Sequence, residues 1–327
     1  MKRFNRLWYI ATVVLLTFGA VSCRTMSPLT APTAALSARA VTDIVPQWQP
    51  FAEDQTAGLA FFAGKVRSPH LEFWAIRADL TDPAVEIVVT GQELLKGASD
   101  GFITGHVPST TISGFAKRYN AIVGINTNPF SPVSGRVGED RLIDGITISD
   151  GALVALPHPA FDALVFYNSS RVDNSSKAED GSTTVTQKAA IVNQGELGDL
   201  NGIQNAVGGF SIVLQSSTIP DRLTRQNSAP RHPRSAAGLS ADGSTLYLLL
   251  VDGRRPGSIG VTEAELGVML RQLGAVDGLN FDGGGSSALV LRFPDGKVRA
   301  VNIPIHKQVP GWQRGVAACL GIRITGQ

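Results

Sequence analysis

The sequence predicts an α+β fold, with mixed β-sheets and a few flanking helices gathered into a single domain. Short apolar or alternating runs bounded by Gly, Asp or Pro recur along the chain, and only two segments carry helical spacing. The composition agrees: 35 glycines and 17% charged residues suit a loop- and strand-rich chain better than a helical bundle.

The chain opens on an export signal, residues 1–22. Lys2, Arg3 and Arg6 form a basic start, and Leu7 to Val21 runs about fifteen residues without a charge. A membrane-spanning helix needs about 20 apolar residues, so this stretch has the length of a signal-peptide core. Ala20-Val21-Ser22-Cys23 resembles a bacterial lipobox, with Ala20 where Leu is commonest, and marks Cys23 for lipidation. Two acyl chains on one residue give stable anchoring where one is marginal. Residues 23–50, rich in Ser, Thr, Pro and Ala, read as the lipidated Cys and a flexible tether, and residues 51–327 as the folded domain. The formal charge of +2 falls to about −1 once the signal is removed. No basic run remains to suggest a nucleic-acid partner. Cys319 is then left without a partner, in the apolar run GVAACLGI, and reads as a buried, inert thiol.

Strands are predicted at Leu71–Arg77, Val85–Thr90, Ala121–Ile125, Ala163–Tyr167, Thr245–Val251, Ala288–Phe293 and Val316–Ile324. Helices are predicted over Thr110–Tyr119, opened by a Thr cap, and Thr262–Leu273, whose Leu266, Met269, Leu270 and Leu273 share a face before Gly274 stops it. Asn168–Gly181 is a polar loop or insertion.

The chemistry concentrates between Arg231 and Gly315. Asp282 follows the apolar run GLNF and precedes Gly283-Gly284-Gly285-Ser286-Ser287. Three glycines allow close backbone approach, so successive amides can line a concavity for phosphate, with both serines adding hydroxyls. Asp252 likewise ends an apolar strand. The two carboxylates, placed at adjacent strand ends, are candidates for acid–base work or for binding a divalent cation such as calcium. Arg234 and Arg254 offer planar forks for phosphate oxygens. His106 and His306 are further candidates for the site, whereas His158 and His232 flank prolines and read as loop residues. Gly-Lys-Ser/Thr, Gly-x-Ser-x-Gly and HExxH patterns are missing, which argues against P-loop, serine-hydrolase and zincin chemistry.

Pro233-Arg234-Ser235-Ala236, Val251-Asp252-Gly253-Arg254, Asp282 to Ser287 and Asn302-Ile303-Pro304 occur in an order that closely resembles the phosphodiester glycosidase family. Upstream, Asn126-Thr127-Asn128-Pro129-Phe130 is similar to that family's Asn-Gly-Gly-Phe-Phe loop with both glycines replaced, and Asp144–Gly151 resembles a further segment. The resemblance spans roughly Thr110 to Ile324 and implies hydrolysis of a sugar-1-phosphodiester to a free sugar and a phosphomonoester; the export signal and lipobox place that activity in the cell envelope. It adds Asn126 and Asn302 to the substrate-binding candidates. Two other readings fit the same residues: an envelope-glycan-binding lipoprotein without activity, and a phosphodiesterase that cuts P–O.

Overall fold

A computed structural model describes residues 48–50, 58–94, 103–168, 187–225 and 229–325. The predicted signal, Cys23, nearly all of the tether and all but the first residue of the polar insertion lie outside them. In chain order the principal elements are β1 (Leu59–Arg67), β2 (His70–Asp79), β3 (Val85–Val89), α1 (Ile112–Arg118), β4 (Val123–Asn126), β5 (Ser211–Leu214) and β6 (Arg234–Leu239). Then follow β7 (Thr245–Val251), α2 (Glu263–Leu273), β8 (Asp277–Asn280), β9 (Leu289–Arg292) and β10 (Cys319–Ile324).

One sheet runs β1-β2-β7-β6-β8-β5, with Gln49–Pro50 on its β1 edge. A second runs β9-β4-β10-β3, with Val298–Ala300 beside β9. Ile76, Leu248, Leu250 and Phe281 of the first meet Ile125, Leu320, Ile322 and Ile87 of the second in one buried core. On the outer face of the first sheet, Leu71, Phe73 and Leu249 pack against Leu266, Met269 and Leu270 of α2. Each of those three helix side chains contributes about 1.5–3 kcal/mol on burial. On the outer face of the second, Val290 and Cys319 pack against Ile112 and Phe115 of α1. The order of layers is helix, sheet, sheet, helix. A third sheet, with strands Thr147–Ser149, Ala152–Ala155, Asp162–Asn168, Gln187–Asn193 and Ile203–Gly209, adds Leu164, Phe166 and Val207 to the shared core.

The helices begin and end as their sequences dictate. Thr262 caps α2 in a reciprocal box with Glu265, and Gly274 closes it at φ 107°, a left-handed conformation that favours glycine. Thr111 caps α1, accepting from the Gly114 amide at 3.0 Å. Cys319 is buried, and burial pushes its thiol well above the usual range. No helix among the described residues is long and apolar enough to cross a membrane.

Two expectations change. Every ladder between the described strands is antiparallel, so the sheets are not mixed. A parallel pair needs a long crossover, and where the chain makes one, through α2, another strand fills the gap. The tether also ends earlier than residue 50: the Trp48 ring sits 4.7 Å from that of Phe73, and Gln49 and Pro50 pair with Ala63 and Phe62.

Candidate active site

The chain passes from β7 through α2 to β8, and β6 lies antiparallel between those two strands. The outgoing ends of β7 and β8 and the incoming end of β6 therefore share one edge. Arg234 stands opposite Val251, and Ala236 opposite Asn280. The same register carries Arg234 opposite Asp282. Asp252 and Asp282 are thus not on neighbouring strands, contrary to expectation; β6 separates them.

Asp282 is half-buried at this edge. Its amide donates to the Thr127 carbonyl at 2.8 Å, and its carbonyl accepts from Asn126 Nδ2 at 2.6 Å. Burial raises its carboxyl to about 6, against the opposing pull of the Ser286 hydroxyl, Arg314, the Gly283 amide and Arg254.

The glycine triplet works differently from a row of amides facing an anion. The amides of Gly284, Ser286 and Ser287 donate to the carbonyls of Pro233, Gly283 and Gly284, closing a tight turn. What the glycines supply is room. A Cβ on Gly284, which has φ 60°, would lie 2.7 Å from Arg254 Nη2, and one on Gly285 would lie 2.7 Å from Arg314 Nη2. Two guanidinium groups thus rest on bare backbone beside Asp282. Arg314 donates from Nη1 to Ser286 Oγ at 3.1 Å and from Nε to His306 Nδ1 at 3.2 Å. Arg254 is exposed, and its Nη2 lies 3.4 Å from His232 Nδ1. Burial, Arg254 and Arg234 together hold the His232 imidazole below its ordinary pKa.

Other candidates serve as struts. Asp252 is 1% exposed: Oδ1 accepts from Asn302 Nδ2 at 2.9 Å, and Oδ2 accepts from Arg255 Nη2 at 2.7 Å and the Ile303 amide at 3.1 Å. Arg255 also pairs with Glu72. Asn302 accepts from the Leu289 amide at 3.0 Å, and Asn126 Oδ1 accepts from Ser235 Oγ at 2.7 Å. The side chains of Asn126 and Asn302 are thereby spent on the protein itself. Arg234 is likewise committed, its Nη1 lying 3.2 Å from Glu263 Oε1. Ser287 Oγ is buried without a partner.

Among the histidines, His306 sits behind Arg314, and His232 stands beside Arg254 although its sequence reads as loop. His106 is exposed on a strand paired with Asp140–Ile143, a sheet that carries none of the other candidates. Two residues escaped the sequence reading. Arg314 lies inside the run WQRGVAACLGI, whose apolar half signals only a strand. Glu263 looks like an ordinary first-turn acid beside a capping box. The suggested divalent-cation site does not fit: Asp252 is saturated by Arg255, Asn302 and Ile303, and no cluster of three or more His, Cys, Asp or Glu suited to a metal occurs among the described residues.

Residues 119–323 match the sequence model of the family described as phosphodiester glycosidase. The chain is 25% identical over 240 residues to the SPbeta prophage-derived uncharacterized protein YomE of Bacillus subtilis (strain 168), covering 72% of this chain and 33% of that protein. It thus spans about a third of that relative's length. Among solved structures, the catalytic domain of zebrafish N-acetylglucosamine-1-phosphodiester alpha-N-acetylglucosaminidase aligns with a TM-score of 0.56 at 18% identity, covering 88% of this chain and 94% of that one. A hypothetical protein from Synechocystis aligns with a TM-score of 0.54 at 14% identity, over 86% of this chain and 64% of the other. At these identities the structural likeness concerns the fold alone.

Proposed function

Because the chain belongs to the phosphodiester glycosidase family, a family of hydrolases, we propose that it hydrolyses a sugar-1-phosphodiester to a free sugar and a phosphomonoester. The observation that carries this reading is a carboxyl with a pKa of about 6, flanked by two guanidinium groups laid over glycine backbone. Arg254 and Arg314 hold the phosphate oxygens. Asp282, mostly ionised at neutral pH, takes a proton from the water that attacks the anomeric carbon. The bond from that carbon to the phosphate oxygen breaks, and its electron pair leaves on the oxygen. The arginines offset the charge of this leaving anion, so a separate general acid is dispensable.

Ser286 and the glycines at 283–285 shape the floor on which Arg254 and Arg314 rest. Asp252, Asn302 and Asn126 act from behind, holding the loops that carry the reacting groups. Residues 51–327, with Trp48 to Pro50 packed onto them, act as one domain, joined by a short tether to an acylated Cys23 on the envelope membrane. The basic, apolar and small-residue order before Cys23 supports that placement. Cys23→Ser would then release the protein from membranes, whereas intact-mass analysis showing an unmodified Cys23 would reject the anchor.

Turnover of glycosyl-1-phosphodiesters in oxygen-18 water tests the reaction. Label in the sugar is expected. Label in the phosphate would show P–O cleavage, and no turnover across a panel of sugars would favour a glycan-binding role.

A further inference from the structure

The side of Asp282 that faces α2 contains an anomaly. Asn280 is fully buried on β8, yet neither its Oδ1 nor its Nδ2 has a hydrogen-bond partner. A buried amide unpaired at both atoms is costly, and native folds keep few of them. Its cross-strand neighbours are Ser211 on β5 and Ala236 on β6. By the two-residue period of a strand, Asn280 shares its face with Asp282, one pleat further along.

Glu263 spans this row. Its Oε2 accepts from Ser211 Oγ at 3.4 Å, and its Oε1 faces Arg234 Nη1 at 3.2 Å, with Arg222 Nη1 3.9 Å from Oε2. Ser211 and Arg234 lie on the strands either side of β8, so the carboxylate bridges across the strand that bears Asn280 and leads to Asp282. Glu263 retains partial exposure, with 28% of its side chain accessible. A carboxylate, an amide and a hydroxyl side by side supply two-way hydrogen bonding for vicinal hydroxyls. They are poorly suited to an anion, which Arg254 and Arg314 serve on the other side of Asp282.

Accepting the hydrolase reading above, we infer that Glu263, Ser211 and Asn280 form the subsite for the sugar's hydroxyls. Arg234 then belongs to the sugar half of the site as the partner of Glu263, and the phosphate lies on Arg254 and Arg314. The contacts of Glu263 with Ser211 and Arg234 cross the strand that bears Asn280, and an entering sugar exchanges hydroxyls for them.

The test is calorimetric titration of the detergent-solubilised full chain with inorganic phosphate and with the 1-phosphates of N-acetylglucosamine, glucose, galactose and mannose. At least one sugar phosphate should bind about tenfold or more tightly than phosphate. Glu263→Gln and Asn280→Val should each remove most of that advantage and leave phosphate affinity unchanged, whereas Arg314→Lys should weaken both ligands. Asn280→Val should also melt no lower than the wild type, since it removes an unpaired buried amide. Equal loss on both ligands, or no loss, in Glu263→Gln overturns the subsite. A clear fall in melting temperature in Asn280→Val removes that residue from it. A wild type that binds phosphate but prefers no sugar phosphate overturns the subsite while sparing the hydrolase reading. A wild type that does not bind phosphate overturns the anion clamp itself.

Discussion

Replacing Asp282 by Asn should make the protein both inactive and more stable at neutral pH. Its carboxyl rises from 3.8 to about 6, so the folded protein binds this proton more tightly than the unfolded chain does. The stability linked to it is therefore full below pH 3.8 and is lost as pH rises through about 6. At 1.36 kcal/mol per pH unit the rise is worth ~3 kcal/mol, and the carboxylate's remaining solvent contact discounts this to ~1–2 kcal/mol. Asn cannot ionise, so Asp282→Asn keeps that stability at pH 7 and should melt about 2–5 °C higher. The gap should close as both proteins are taken toward pH 4. In the same variant kcat/KM on a glycosyl phosphodiester should fall by about 10²–10⁴. The wild type should lose activity below an acid limb centred near 6, tenfold for each further pH unit. Melting by calorimetry and a pH–rate profile measure both. Activity within tenfold of wild type, an acid limb near pH 4, or a melting difference that ignores pH would refute the role given to Asp282.

Gly285→Ala puts a methyl 2.7 Å from Arg314 Nη2 in a backbone conformation open to alanine. It should cost about tenfold or more in kcat/KM through a misplaced guanidinium, with a melting temperature close to wild type in the same scan. Asp252→Ala strands Arg255, Asn302 and the Ile303 amide in a buried place. It should destabilise the fold by about 3–5 kcal/mol in a urea titration. A small loss there, with a large loss of turnover, would return Asp252 to a direct part in the chemistry.

Much of the fold is legible because the signals are local. The run Thr245–Val251 is apolar after its first residue and becomes β7, buried on both faces in the middle of its sheet. Thr262, Glu265 and Gly274 announce α2 through contacts made within a few residues. Asp282 is legible too, since a strand end followed by three glycines has few plain explanations. What the sequence hides is long-range. Nothing between residues 234 and 282 says that β6 will separate β7 from β8, and that arrangement parts Asp252 from Asp282. The engagement of Asp252 depends on Asn302, 50 positions away, and Glu263 gains its meaning from Arg234, 29 positions back. In the sequence the glycines look like amide donors because their other use, as a floor for Arg254 and Arg314, depends on where those arginines come to rest.

Asn126 has a consequence for how this protein would fail. It sits at the end of β4 in the second sheet, yet it grips the Asp282 carbonyl and the Ser235 hydroxyl of the first. The chemistry is therefore clamped from outside the sheet that bears it. Any excursion that lets the two layers part, while each keeps its own ladders, releases Asp282 before secondary structure is lost. Such partial openings cost less than global unfolding. Turnover is thus a gauge of interlayer docking, and in mild urea it should decline ahead of the far-ultraviolet circular dichroism.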